Sequence, residues 1–166
     1  LLAINRLREW GLYIPKKYQN YRNEIRQYTR TLEMEQELKA RQHGDFFIIP
    51  GQAGIRRRGN SIGVVLETLG KTRNSREFPL GTLAVGCLLL TNPERIVSHR
   101  HLHLDCPGDT WTRGYSFYSL NGSLEKIQFP CMPYFHLGTS SKVRLGAHRI
   151  ETPNHLNGPA TGFLPS

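Results

Sequence analysis

Between Leu1 and Gly44 the apolar positions recur at helical spacing. Leu1, Ile4, Leu7 and Trp10 fall on one face, and Gly11 and Pro15 end that run. From Lys16 onward Tyr18, Tyr21, Ile25, Tyr28 and Leu32 stand alternately three and four apart, the seam of a helix packed on another helix. Glu35 takes the next seam place, and only Met34 and Leu38 continue the apolar side. Tyrosines in such a seam suit a half-wet contact, since each hydroxyl needs water or a partner. The pattern predicts a helical arm over 1–44. Within it the helix 16–42 packs on the protein's own body or on a second copy.

From Asp45 the period shortens, and β-type runs alternate with Gly, Pro and Asn. The runs are "FFII", "SIGVVL", "TLAVGCLLL", "SHRHLHLD", "WTRGYSFYSL", "SLEKIQF" and "KVRL". Asn121-Gly122 between two of them is a hairpin signal, because both residues accept positive φ, so the triplet Asn121-Gly122-Ser123 reads as a turn rather than a glycosylation site. Short strands without intervening helices predict an antiparallel β barrel or sandwich over 45–150. The Pro-, Gly- and Asn-rich stretch 151–166 reads as an extended tail or strap. The whole is therefore expected to be α+β: helical arm, β body, irregular tail.

Composition narrows the function. Lysine and arginine number 22 against 13 acidic residues, a net charge of +9. The excess lies in the first hundred residues, because beyond them five basic residues face four acidic ones. Such a balance points to an anionic partner: nucleic acid, another polyanion, anionic lipid or acidic protein. No apolar run approaches a transmembrane span, and "LLAINRL" is too short and too broken by charge for a signal peptide. Cys87, Cys106 and Cys131 are too few and too odd in number for a disulfide scaffold. They suit a reducing intracellular compartment or the inside of a particle.

Two basic stretches could hold phosphates. Arg56, Arg57 and Arg58 precede "SIGVVL", and Lys71, Arg73 and Arg76 follow it, so a strand there would bring both ends to one basic rim. Arg22 and Arg26, set among tyrosines, offer a second basic-aromatic surface suited to stacking on bases. "RRRGNSIGVV" resembles part of the swapped-hairpin DNA-binding motif of antidote proteins, in which Gly-Asn-Ser opens a strand. The proline which that family carries after the strand is missing here.

"SHRHLHLDCPGD" at 98–109 holds the candidate chemistry. On a strand His99, His101 and His103 share one face and Leu102 and Leu104 the other. His103 and Cys106 are spaced H-x2-C, and Cys131 and His136 are spaced C-x4-H, so these four residues could form a tetrahedral structural zinc site. His101 and His103 also resemble the His-x-His pair of cupins, with His136 as the later histidine. No glutamate follows at the usual place. "HLHL" is similar to the motif of HUH-type nucleases, which implies a tyrosine nucleophile, here Tyr18, Tyr21 or Tyr28. Against these stands a polar strand face that merely titrates near pH 6.5.

No phosphate loop, serine triad, zinc-protease helix or dinucleotide fingerprint is present, and no catalytic residue set emerges. The sequence thus favours a non-catalytic binding or assembly protein for nucleic acid, of the kind found in viral or nucleoprotein particles, with self-association through the helix. It needs no cofactor beyond a possible structural zinc. The alternative of a different class is a metal-dependent enzyme centred on His101 and His103.

Overall fold

A computed structural model describes residues 25–42, 48–71, 76–96, 102–118, 124–138 and 143–165. The chain is α+β. Strand β1 (Ile25–Gln27) leads into helix α1 (Thr29–Arg41). The short strand β2 (Gly51–Gln52) and a 3-10 turn (Ile55–Arg57) precede helix α2 (Ile62–Lys71). Strand β3 (Glu77–Pro79) is followed by helix α3 (Thr82–Thr91). The rest is β: β4 (His103–Asp105), β5 (Asp109–Tyr118), β6 (Leu124–Leu137), β7 (Val143–Arg149), β8 (Asn157–Pro159) and β9 (Thr161–Phe163).

Six strands form one sheet in the order β1-β5-β6-β4-β8, with β7 on the other edge of β6. The long β6 thus carries β5 and then β4 along one edge and β7 along the other. β2, β9 and β3 form a second sheet with β9 in the middle. Among the described residues the sheets do not close into a barrel. The core lies where α1, α3 and the inner face of the large sheet meet: Leu38, Phe78, Val85, Leu104 and Phe135 are almost fully buried there.

Two runs expected as strands are helices. In α2 the β-branched residues of "SIGVVL" suggest a strand, yet the buried positions Ile62, Val65 and Leu69 follow helical spacing. The ends of this helix are about 15 Å apart at 1.5 Å per residue. A helix rather than a strand therefore separates Arg58 from Lys71, although Arg57 reaches Glu77, the neighbour of Arg76. In α3 "TLAVGCLLL" is apolar all round, so no period betrays the helix. Its start is fixed from afar: the amide of Thr82 donates to Asp109 Oδ2 at 2.6 Å, an N-terminal cap supplied 27 residues later. Burial pushes the Asp109 carboxyl up, and the bonds from Thr82 oppose it.

The arm also differs from expectation. Ile25 is in a strand opposite Trp111, and Leu32 is 42% exposed, so the seam 18-21-25-28-32 does not lie on one helix. Instead α1 packs inward through Thr31, Met34 and Leu38. Tyr18, Tyr21 and Arg22 lie outside the described residues.

The C-terminal stretch is no strap. β8 runs parallel to β4 in the large sheet and β9 is central in the small one, so seven residues stitch the two together. The amide of Ala160 donates to the Asp105 carbonyl, and the Ala160 carbonyl accepts from Leu80. Glycine makes this possible by its size. A Cβ on Gly158 would stand 2.3 Å from the Gly54 carbonyl oxygen, and Gly54 itself takes φ +75°. Chain that reads as loop-forming is here close-packed backbone.

The hairpin of β5 and β6 forms as predicted, with Tyr118 opposite Leu124. The turn residues Asn121 and Gly122 lie outside the described residues.

Candidate functional site: a ring-bearing sheet face

Residues directly opposite on paired strands share a face of the sheet. The register therefore builds a site in rows. Asn157 pairs with His103, and the step beyond Leu104↔Phe135 sets His103 opposite His136, which in turn pairs with Arg144. The first row, across β8, β4, β6 and β7, is thus Asn157, His103, His136 and Arg144. The second is Asp105, Tyr134 and Gly146. Met132 and His148 follow. The alternate residues Leu104, Phe135 and Leu145 belong to the core on the other side.

Four rings on this face touch one another. His103 stacks on Tyr134 with centroids 5.6 Å apart, and the His103 and His136 centroids are 5.2 Å apart. Tyr134 lies 5.2 Å from His136 and meets the edge of His148 at 5.1 Å. The phenol has room because β7 offers Gly146 beneath it, where a Cβ would come within 2.7 Å of the ring. Burial holds the His136 imidazole below its ordinary pKa, and the nearby His103 and Arg144 charges act in the same direction.

Under the rings lies a buried polar knot. Asp105 is fully buried, and its Oδ1 accepts from Asn157 Nδ2 at 2.7 Å. His148 Nε2 sits 3.0 Å from that same oxygen and 3.0 Å from Asn157 Nδ2. The carboxylate favours the proton on Nε2, which leaves the lone pair on Nδ1. Asp105 Oδ2 and Asn157 Oδ1 are buried and accept no hydrogen bond among the described residues. The knot therefore has more acceptors than donors.

The predicted residues scatter. His103 and His136 come together, whereas Cys106 belongs to the core cluster and Cys131, opposite Trp111, is buried on that same inner side. Cys131 and His136 are five residues apart on one strand, roughly 16 Å at 3.3 Å per residue. Burial and the neighbouring Asp109 and Asp105 push the Cys106 thiol far up. Among the described residues no three of His, Cys, Asp and Glu gather as a metal-ligand group. Cys87 is exposed, whereas Cys106 and Cys131 are buried. His101 and Arg73 lie outside the described residues.

Of the basic candidates, Arg57 is committed internally. Its Nε and Nη2 donate to Glu77 at 3.1 and 2.7 Å, and Thr161 Oγ1 adds a 2.6 Å bond to the same carboxylate. Burial raises the Glu77 pKa, but these bonds outweigh it and the net shift is downward. Arg58 Nε donates to the His155 carbonyl, Lys71 pairs with Glu67, and Arg26, Arg56 and Arg76 are exposed. Tyr134, Arg144, His148 and Asn157 belong to none of the sequence motifs. The alternations Y-x-H and R-x-G-x-H on successive strands are the signal that carries them.

In comparisons with protein-family models, curated proteins and solved structures, nothing matches this chain. No helix among the described residues is long and apolar enough to cross a membrane.

Proposed function

We propose that this protein binds single-stranded nucleic acid on the outer face of its six-stranded sheet, as a non-catalytic component of a nucleoprotein assembly. The observation that carries this is the contact cluster of His103, Tyr134, His136 and His148 on one face, with Arg144 in the row. Flat rings on a sheet accept unstacked bases of any sequence, and the guanidinium suits a phosphate. The net charge of +9 supplies the long-range attraction. Exposed Arg56 and Arg76 add to that field, while Arg57 serves the fold.

Fluorescence anisotropy with a labelled single-stranded oligonucleotide tests the proposal. Affinity should fall with salt at a log-log slope of roughly −0.7 per phosphate contacted. Tyr134→Ala should weaken binding by about 1–3 kcal/mol, the worth of one stacked base. Binding that ignores both salt and Tyr134 would reject it.

A second reading has its own observation, the two imidazoles of His103 and His136 side by side on neighbouring strands. Such a pair is the start of a metal site, and a metal-dependent enzyme would complete it with His101 or another ligand. Elemental analysis of His103→Ala and wild-type protein separates the two readings: the enzyme requires a metal that the variant loses.

A further inference from the structure

Helix α3 is apolar on every side but buried unequally: Ala84 and Leu88 only partly pack against the core. Val85, Gly86 and Leu89 are buried, whereas Leu83 on the opposite side is 56% exposed. That outer side, with Ala84, Cys87 and Leu88, forms one wall of a hollow of about 460 Å³ whose other wall includes Ile49 and Leu80. A second hollow of about 370 Å³ adjoins it and shares Gly51, Leu88 and Asn92 with the first. The second hollow has a different character: Arg56 and Arg95 both line it, together with Gln52.

The two ends are complementary to different parts of one molecule. The carboxylate at the apolar end, Glu35, already receives a 2.8 Å bond from Gln27 Nε2, and burial raises its pKa, with Asp109 adding to the rise and the Gln27 bond opposing it. A second anion is therefore unwelcome there. At the far end two guanidinium forks suit a carboxylate or phosphate, which they bind through paired N–H donors. Both volumes lie in the range of small-molecule sites. Ile55, 60% exposed, also lines the basic hollow, so large apolar surface stays open to water along this groove.

We propose that the groove binds a single-chain anionic amphiphile, its alkyl part along α3 between Leu83 and Leu88 and its oxyanion head between Arg56 and Arg95. The site is separate from the ring face and does not depend on nucleic-acid binding.

Titration calorimetry with sodium decanoate below its micelle concentration tests this, with acetate and decanol as the head-only and tail-only probes. Decanoate should bind, acetate should not, and decanol should bind roughly 10- to 100-fold more weakly, as expected for the loss of charge-assisted hydrogen bonds. The double variant Arg56→Ala/Arg95→Ala should bring decanoate down to the level of decanol. Both arginines are exposed, so the fold should survive, which an unchanged melting temperature will verify. Ala84→Trp should fill the apolar hollow and remove decanoate binding, and decanoate should slow maleimide labelling of exposed Cys87 in the wild type. Equal affinity for decanoate and decanol with the arginine variant unaffected would overturn the proposal. So would the absence of decanoate binding, or association only with anionic lipid vesicles, which would make this a surface for membranes instead.

Discussion

Gly146 matters through what it lacks. Because no Cβ stands on β7 beneath Tyr134, the phenol can lie among three imidazoles and cover the Asp105–His148 contact. Gly146→Val should displace the ring and cost about 1–3 kcal/mol, as overpacking usually does. The loss should appear in thermal melts together with a change in the tyrosine near-ultraviolet signal. His136 makes a pH prediction. Its pKa is lowered in the folded state, so the unfolded chain takes up the proton first. Stability from this group is then complete above about pH 6.5 and is lost as pH falls toward the folded value. His136→Gln should flatten that part of the stability profile in denaturant titrations run between about pH 7 and 5. At Glu77 the lowered pKa places the corresponding loss in more acid solution, below the usual carboxylate range. Arg57→Ala leaves the largely buried carboxylate without its ion-pair partner and should cost about 3 kcal/mol.

At the scale of elements, the helices divide according to where their information lies. α1 was legible in part, since Met34 and Leu38 mark its buried side. The tyrosine seam before it was misleading, because Ile25 is claimed by a strand partner, Trp111, far along the chain. Leu38→Ala should therefore cost about 2–5 kcal/mol, whereas Leu32→Glu should change stability by less than about 0.5. Equal effects would restore the seam. α3 was illegible for a definite reason: an all-apolar segment has no period, and its cap comes from Asp109 across the fold. Asp109→Ala should lower stability by about 1–2 kcal/mol, and Asp109→Asn, which keeps an acceptor oxygen, by less. The pattern of short runs did identify β5, β6 as far as Phe129 and the start of β7, where strands pair with their sequence neighbours, but the second half of β6, with Tyr134 and His136, was not read as a strand.

At the scale of the whole molecule, the class α+β could be read from sequence, and His103 and His136, singled out there, are brought together by the fold. The identity of their partners could not be read there. Asn157 lies in a stretch rich in Pro and Gly, and its role arises only when β8 docks beside β4. The same docking joins the sheets, so the site and the stability of the fold share one element. Charge was legible as a total but not as a location. The total of +9 is one ground of the proposal, whereas the ring face emerges from register alone. The most direct test of that face is solution NMR of the histidine ring protons during titration with a single-stranded oligonucleotide. The account predicts that the His103, His136 and His148 resonances move together at saturation while exposed His155 stays in place. Movement confined to the amides of residues 56–58, with the three rings silent, would contradict it.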